Sequence, residues 1–222
     1  MKQLSSITRW CIALFVCCIA ILQEAQAQPV SISEPGLTPN EIQARRLFNQ
    51  AYNQVFGPEG STFSFDVTIA KLFKNKGTLW MKGKKSKSIS SRSTTWNNGT
   101  TAYVVRSKKK EVDVYHATSP KKDKYSSQFK FEPKNYSYHI ETDPEGLLIT
   151  LKLKKKAKGM KEVKALVDRQ TMVPKWLRIK VAFIWATVHI SNFRSGNIDD
   201  SIFEFPRQQY AGWEIKDKRN KQ

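Results

Sequence analysis

Cysteine is almost absent from this 222-residue chain, and its three copies all lie within the first eighteen residues. From residue 19 onward, no disulfide, thiolate metal site or cysteine nucleophile can therefore form. Histidine is also scarce, and His116, His139 and His189 have no spacing typical of metal ligands. The fold must therefore be held together by its packed core alone, and the length is sufficient for one sizeable domain.

Carboxylates are missing from a long stretch of the sequence. Between Val67 and Lys110 the chain has twelve lysines and arginines and no aspartate or glutamate, and the whole chain has a net charge of +19. Such a surface attracts anions. Two interpretations remain open: a docking surface for anionic lipid or an acidic protein, or lysines that are simply solvated.

The N-terminal segment has the three parts of a secretory signal. Lys2 and Arg9 supply positive charge, residues 10–22 form an apolar run, and Ala25 and Ala27 are the small residues that a signal peptidase needs. The apolar run is shorter than the ~20 residues that span a bilayer. We therefore predict a cleaved signal over residues 1–27, a flexible leader over 28–37 and one domain over 38–222. Export also argues against nucleic acid as the partner of the positive charge.

The first regular element is predicted to be an amphipathic helix. Thr38 is a suitable N-cap, Pro39 fits the first helical position, and Glu41 completes a capping box. Apolar residues then recur at helical spacing, at Ala44, Leu47, Phe48, Ala51, Tyr52 and Val55. Gly57 and Pro58 are expected to end the helix.

The remainder of the chain alternates between apolar and polar residues with the period of β-strands. Phe63, Phe65 and Val67 point one way, while Ser64 and Asp66 point the other. Similar segments follow one another at hairpin spacing and predict one large antiparallel sheet. Because such a sheet must curl or close to protect its edges, we expect an incomplete barrel with the helix across its mouth.

Two short patterns occur in an order and spacing that a known family shares. The first is Leu79-Trp80-Met81-Lys82, followed by a turn at 96–99. The second comprises Phe203, Phe205, Pro206, Gly212, Ile215, Asp217 and Arg219. Together they resemble the LolA-like family of periplasmic outer-membrane lipoprotein carriers. The resemblance implies a mainly β fold, an incomplete antiparallel β-barrel (half-barrel) with one or more covering helices.

The resemblance also implies a function. It predicts a periplasmic carrier or chaperone that shelters the acyl chains of lipoproteins, or of related acylated envelope molecules, during transfer towards the outer membrane. It implies an inner-membrane donor complex and an outer-membrane acceptor, without cofactor, metal or catalytic residue. The alternative is a periplasmic domain of the same fold that senses an amphiphile and signals to a protein partner. A hydrolase is a third hypothesis, but no Gly-x-Ser-x-Gly pattern supports it.

Candidate binding residues follow from the resemblance and from the strand alternation. The cavity candidates are Leu47, Phe48, Tyr52, Phe63, Phe65, Leu79, Met81, Ile89, Tyr103, Val105, Phe129, Tyr138, Ile140, Leu151, Ile179 and Val181. A basic rim that meets an anionic membrane or an acidic partner is predicted at Lys82, Lys84, Lys85 and Lys87. Gly83 stands where the family commonly has an arginine that ties down the lid, and the lid region at 119–133 is charged here. Both departures predict a weaker lid.

Overall fold

The computed structural model describes residues 29–70, 73–91, 93–119, 131–157, 159–181 and 183–219. Within these residues there is one α-helix, α1 (Pro39–Phe56). The strands are β1 (Ser61–Ile69), β2 (Phe73–Lys82), β3 (Lys85–Ser90), β4 (Thr94–Asn97), β5 (Thr101–Arg106), β6 (Glu111–His116), β7 (Tyr136–Asp143), β8 (Gly146–Leu153), β9 (Glu162–Val167), β10 (Pro174–Val181), β11 (Ile184–Ser195) and β12 (Glu214–Asp217). The predicted signal over 1–27 lies outside the described residues. No helix within them is long and apolar enough to cross a membrane.

The predicted N-terminal helix is confirmed, together with its boundaries. The hydroxyl of Thr38 accepts a hydrogen bond from the backbone N–H of Glu41 at 3.2 Å. At the other end, the N–H of Gly57 donates to the carbonyl of Asn53 at 2.8 Å. The start and stop residues of α1 therefore act through the local backbone bonds that the sequence predicts.

All twelve strands belong to one sheet in the order β12-β6-β5-β4-β3-β2-β1-β11-β10-β9-β8-β7. Each neighbouring pair is antiparallel except β12 and β6, which run parallel. The edge strands β7 and β12 are not paired with each other in the described part of the chain. The predicted fold class, a mainly β incomplete antiparallel barrel with a covering helix, is therefore confirmed.

One face of this sheet is apolar from β2 to β7, and we call it the inner face. Residues paired across neighbouring antiparallel strands share a face, so the register traces continuous rows across it. One row runs Val67, Val188, Leu177, Ala165, Ile149, Ile140. The next runs Ile69, Ala186, Ile179, Val163, Leu151, Tyr138. These rows form the surface on which α1 lies.

The opposite, outer face carries a separate core over β4, β5 and β6. Trp96, Val105 and Val112 are buried there beneath the C-terminal segment. Phe205 from that segment stacks on Tyr103 with ring centroids 4.3 Å apart and planes 6° from parallel. Phe205, Tyr210 and Trp213 of the C-terminal segment therefore cover the outer face.

A buried carboxylate ties the last strand to the sheet. Asp113 on β6 is 1% exposed and lies 2.7 Å from the Nζ of Lys218, which directly follows β12. Its other oxygen accepts a hydrogen bond from the Nε of Arg106 at 2.8 Å. Burial alone would raise the pKa of Asp113, but the bonds from Lys218 and Arg106 outweigh it and hold the pKa below its usual range.

The Asp113 interaction predicts a pH-dependent stability. A carboxyl group whose pKa is lowered by folding stabilises the protein above its unfolded pKa of about 3.9, and this contribution disappears as the pH falls through the folded value. We expect Asp113→Asn to lower the free energy of unfolding by about 1.5–3 kcal/mol at pH 7. Urea unfolding of both proteins from pH 7 to 2.5 should show this difference shrinking below pH ~4. A difference that stays constant over the range would contradict the assignment.

Candidate ligand-binding cavity

An apolar cavity of about 140 Å³ lies between α1 and the inner face of the sheet. Phe48, Ala51, Tyr52, Val55 and Phe56 of α1 form one wall, and side chains of β1, β2 and β8 to β11 form the other. Phe131 and Met160 extend the lining from connecting segments. Among the described residues no charged side chain lines this space. The cavity therefore favours an apolar ligand over a charged one.

The size of the cavity limits what it holds in this conformation. At about 30 Å³ per water-sized group, a volume of about 140 Å³ accommodates roughly five methylene-sized groups. Apolar cavities near this size stay dry and bind a molecule such as benzene. A complete acyl chain has many more carbons, so it requires displacement of part of the wall.

The wall formed by α1 is fixed to the edge of the sheet by an asparagine. The side-chain Nδ2 of Asn40 donates to the carbonyl of Ile140 at 2.8 Å, and the N–H of Ile140 donates to the Oδ1 of Asn40 at 3.0 Å. Ile140 lies on β7, which pairs with β8 on one side and has no strand on its other side among the described residues. The amide of Asn40 thus occupies the place of a neighbouring strand.

A second asparagine joins α1 to the segment that precedes it. Asn49 donates to the carbonyl of Val30 and accepts from its N–H, both at 2.9 Å. Val30 is 6% exposed and belongs to the core around β7 and β8. Residues 29–37 contain no helix or strand. They contact α1 through Val30, and the flexible leader over 28–37 stays a prediction.

Arg45 connects the same elements by charge. Its guanidinium is 1% exposed and lies 2.9 Å from the carboxylate of Glu34 and 3.1 Å from that of Glu41. It also lies over the ring of Tyr138, 5.4 Å from the centroid. Burial raises the pKa of Tyr138, despite the opposing effect of Arg45, so its phenol stays neutral. That hydroxyl donates to the carbonyl of Pro133 at 2.9 Å.

Seven of the sixteen predicted cavity residues line the cavity: Phe48, Tyr52, Phe63, Phe65, Leu79, Leu151 and Ile179. Four others belong to the core that surrounds it: Leu47, Met81, Tyr138 and Ile140. Phe129 lies outside the described residues, as does the side chain of Val181. A binding role for the lining residues stays a prediction.

Ile89, Tyr103 and Val105 are corrections, because they lie on the outer face. Leu79 faces inward, so its neighbour Trp80 faces outward. Cross-strand pairs share a face, and Trp80 pairs with Lys87, Lys87 with Trp96 and Trp96 with Tyr103, so Tyr103 also faces outward. Val105 is buried under the C-terminal segment, and Ile89 is 42% exposed. Alternation shows which residues share a face within one strand, but it does not reveal the register between strands.

Several lining residues had not been selected from the sequence. Leu177, Val188 and Ile190 follow the apolar–polar alternation of β10 and β11, so this pattern is sufficient to identify them. Met160 and Phe131 come from segments without regular structure, for which the sequence has no comparable pattern. Their contribution depends on tertiary packing alone.

The four lysines of the predicted basic rim, Lys82, Lys84, Lys85 and Lys87, have different surroundings, and their role as a rim stays a prediction. Lys82 and Lys85 both form ion pairs with Asp200, at 3.1 and 2.8 Å. Lys87 lies over the rings of Trp80 and Trp96, 5.5 and 5.4 Å from their centroids, and burial lowers its pKa. Lys84 alone of the four is exposed. Three of the four lysines therefore interact with other side chains of the same protein.

Gly83 lies in the turn between β2 and β3. Its φ of +53° is a backbone conformation that side chains rarely adopt, and no atom lies within 4 Å of the position a Cβ would take. The glycine therefore serves the turn, away from α1.

No protein-family model and no curated protein matches the chain. Among solved structures, an uncharacterized conserved protein from Thermus thermophilus matches with a TM-score of 0.56 and 7% identity, over 79% of this chain and 99% of that one. A LolA superfamily protein from Nitrosomonas europaea matches with a TM-score of 0.39 and 9% identity, over 74% of this chain and 98% of that one. A chain of the Pseudomonas aeruginosa MucA/MucB complex matches with a TM-score of 0.42 and 9% identity, over 75% of this chain and 62% of that one. The Thermus match shows that the whole fold occurs in another protein.

The cavity predicts binding of a small apolar ligand. Benzene should bind the purified protein and raise its melting temperature, because a dry apolar cavity of this size accepts it. Ala51→Leu adds three carbon atoms, which is more than half of the roughly five groups that fit, and should abolish the effect. Ala211→Leu, at an exposed position outside the cavity, should retain it. Ligand-detected NMR checks both variants, and benzene binding by a folded Ala51→Leu protein would contradict the assigned site.

Proposed function

We propose that this protein is a periplasmic carrier, exported by a cleaved signal, that shelters the acyl chains of lipoproteins or related acylated envelope molecules during transfer towards the outer membrane. The observation that carries the proposal is the cavity between α1 and an incomplete barrel, lined by aliphatic and aromatic side chains and by no charged one among the described residues. An acyl chain needs no chemistry from its carrier, only exclusion of water. Within the described part of the chain, no three His, Cys, Asp or Glu side chains are placed to hold a metal ion.

The closed cavity by itself is too small to carry such cargo. Roughly five buried methylene groups at about 0.8 kcal/mol each contribute about 4 kcal/mol, which corresponds to millimolar affinity. A carrier of acyl chains needs a larger buried surface. We therefore propose that α1 is a lid and that its displacement from the sheet enlarges the cavity.

The contact between Asn40 and Ile140 is the proposed latch of this lid. It attaches α1 to β7, while Asn49 and Arg45 attach α1 to the segment before it. Displacement of α1 from β7 breaks the Asn40 pair but leaves the bonds to Val30 and Ser31 in place. The lid and the preceding segment are thus able to move together.

Asn40→Ala tests the latch. Loss of the paired hydrogen bonds should cost about 1–3 kcal/mol and favour the open lid by roughly five- to a hundredfold. We expect stopped-flow mixing with an environment-sensitive fatty-acyl dye to show correspondingly faster entry and release. Gln43→Ala, at an exposed position of the same helix, is the matched control and should leave both rates unchanged. Equal rates in Asn40→Ala and in the unmodified protein would show that the latch lies elsewhere.

Phe48→Asp tests the carrier itself. Phe48 lines the cavity and contacts Tyr138 edge to face, with centroids 5.3 Å apart. A carboxylate at this position would have to be desolvated with every bound acyl chain, so uptake of the dye should be lost. Phe183→Asp places the same charge on an exposed residue and should take up the dye normally. The function is supported if mass spectrometry of lipid extracts finds acylated molecules with the unmodified protein and not with Phe48→Asp. Dye uptake by a folded Phe48→Asp variant would refute the proposal.

A further inference from the structure

The two rims of the sheet differ in how their charges are used. Because the strands are mostly antiparallel, alternate turns fall on the same rim. One rim holds the carboxylates Glu59, Asp143, Glu145, Asp168, Asp199 and Asp200. Several of these meet cations: Lys175 lies 3.5 Å from Asp168, and Asp200 binds two lysines. Two of the six carboxylates on this rim, Asp168 and Asp200, therefore have lysine partners.

The opposite rim holds an exposed aromatic residue at the end of a hairpin. Phe183 follows β10 and precedes β11, and it is 86% exposed, far more than any other large apolar side chain that the structure describes. Trp185, two residues on, lies on the outer face with Arg178 and Lys180 over its ring, 5.0 and 5.5 Å from the centroid. A ring exposed to this degree would gain free energy if a partner buried it.

Lysines without carboxylate partners lie next to this hairpin. The turn between β8 and β9 carries Lys154, Lys155 and Lys156, all of them exposed. The backbone joins this turn to the hairpin, since the N–H of Lys161 donates to the carbonyl of Lys180 at 2.9 Å. In the described ranges, no ion pair with a carboxylate is formed by Lys154, Lys155, Lys156, Lys161 or Lys180. We call Phe183, Trp185, Lys180 and Lys154 to Lys156 the Phe183 patch.

We infer that the Phe183 patch docks the protein on the surface of an anionic phospholipid bilayer. The aromatic ring enters the interfacial layer, and the lysines lie at the level of the phosphate groups. Each part is weak alone, because one ring buries little area and exposed charges are screened within about 8 Å at physiological ionic strength. Their juxtaposition on one rim supplies both contributions at once.

Charge complementarity selects the bilayer over an apolar protein surface. Lysine is depleted in the cores of protein interfaces, whereas an exposed aromatic ring beside uncompensated lysines suits the boundary between headgroups and acyl chains. The patch consists of strand ends and turns outside the cavity lining, so the inference does not rest on the proposed carrier function.

Cosedimentation with vesicles tests the docking surface. The purified protein should bind vesicles of phosphatidylglycerol and phosphatidylcholine at least tenfold more tightly than vesicles of phosphatidylcholine alone, and salt should weaken this binding. Phe183→Ser should weaken binding to the anionic vesicles about tenfold, because a buried aromatic side chain is lost. Replacement of Lys154, Lys155 and Lys156 by serine should weaken it by about fivefold per lysine near the surface.

Matched variants separate this site from net charge. Replacing Arg46, Lys84 and Arg207, which are also exposed, by serine removes the same charge elsewhere and should change binding less than twofold. Ile215→Ser removes an apolar side chain that is 50% exposed at another place and should have no effect. Circular dichroism confirms that each variant is folded.

Two outcomes would overturn the inference. If Phe183→Ser binds anionic vesicles as tightly as the unmodified protein does, the ring of Phe183 does not enter the bilayer. If polyglutamate then also displaces the protein from the vesicles, the lysines instead indicate an acidic protein partner. If both triple variants lose binding equally, the attraction comes from net charge and not from this patch. Dye uptake by Phe183→Ser measures the cavity separately, so failure of the docking site is distinguishable from failure of the carrier proposal.

Discussion

The open edge of the sheet is the constraint on which the rest of this structure depends. In the part of the chain that the structure describes, β7 is an edge strand with no strand beyond it, and the sheet has a wide apolar inner face that must be shielded from water. Helix α1 meets both requirements, since Asn40 pairs with the edge while the apolar side of the helix covers the face. One element therefore completes the sheet and closes the cavity. Any ligand that displaces it has to compensate for both.

The division of labour between the two faces follows from the same constraint. The inner face keeps its aromatic and aliphatic rows for α1, while the aromatic residues of β4 and β5 face outward and need another cover. The C-terminal segment supplies it through Phe205, Tyr210 and Trp213. An element that precedes β1 thus covers one face, and a segment that follows β11 covers the other. This arrangement leaves the cavity as a feature of the inner face alone.

Much of the fold was predictable, because its signals are local. The caps of α1 and the alternation in β1 depend on neighbours along the chain, and both are confirmed. The site was predictable only in part. Tyr103 and Val105 alternate like Phe63 and Phe65 yet face the other way, because cross-strand register decides the face and no local pattern encodes it. Asp200, which binds Lys82 and Lys85, is 115 residues from Lys85, so sequence proximity gave no hint of that pairing.

The pairing of β1 with β11 has a consequence for the order in which the chain folds. Ser61 pairs with Ser195, so the centre of the sheet joins segments from opposite ends of the chain. Helix α1 leaves the ribosome long before the strands that bury it, and contacts of such large sequence separation form slowly. With no cysteine beyond residue 18, disulfide formation does not set the pace for the remainder of the chain. Chain topology determines it, and the surface that covers α1 is complete only when β11 arrives, an interval in which association with other chains competes with folding.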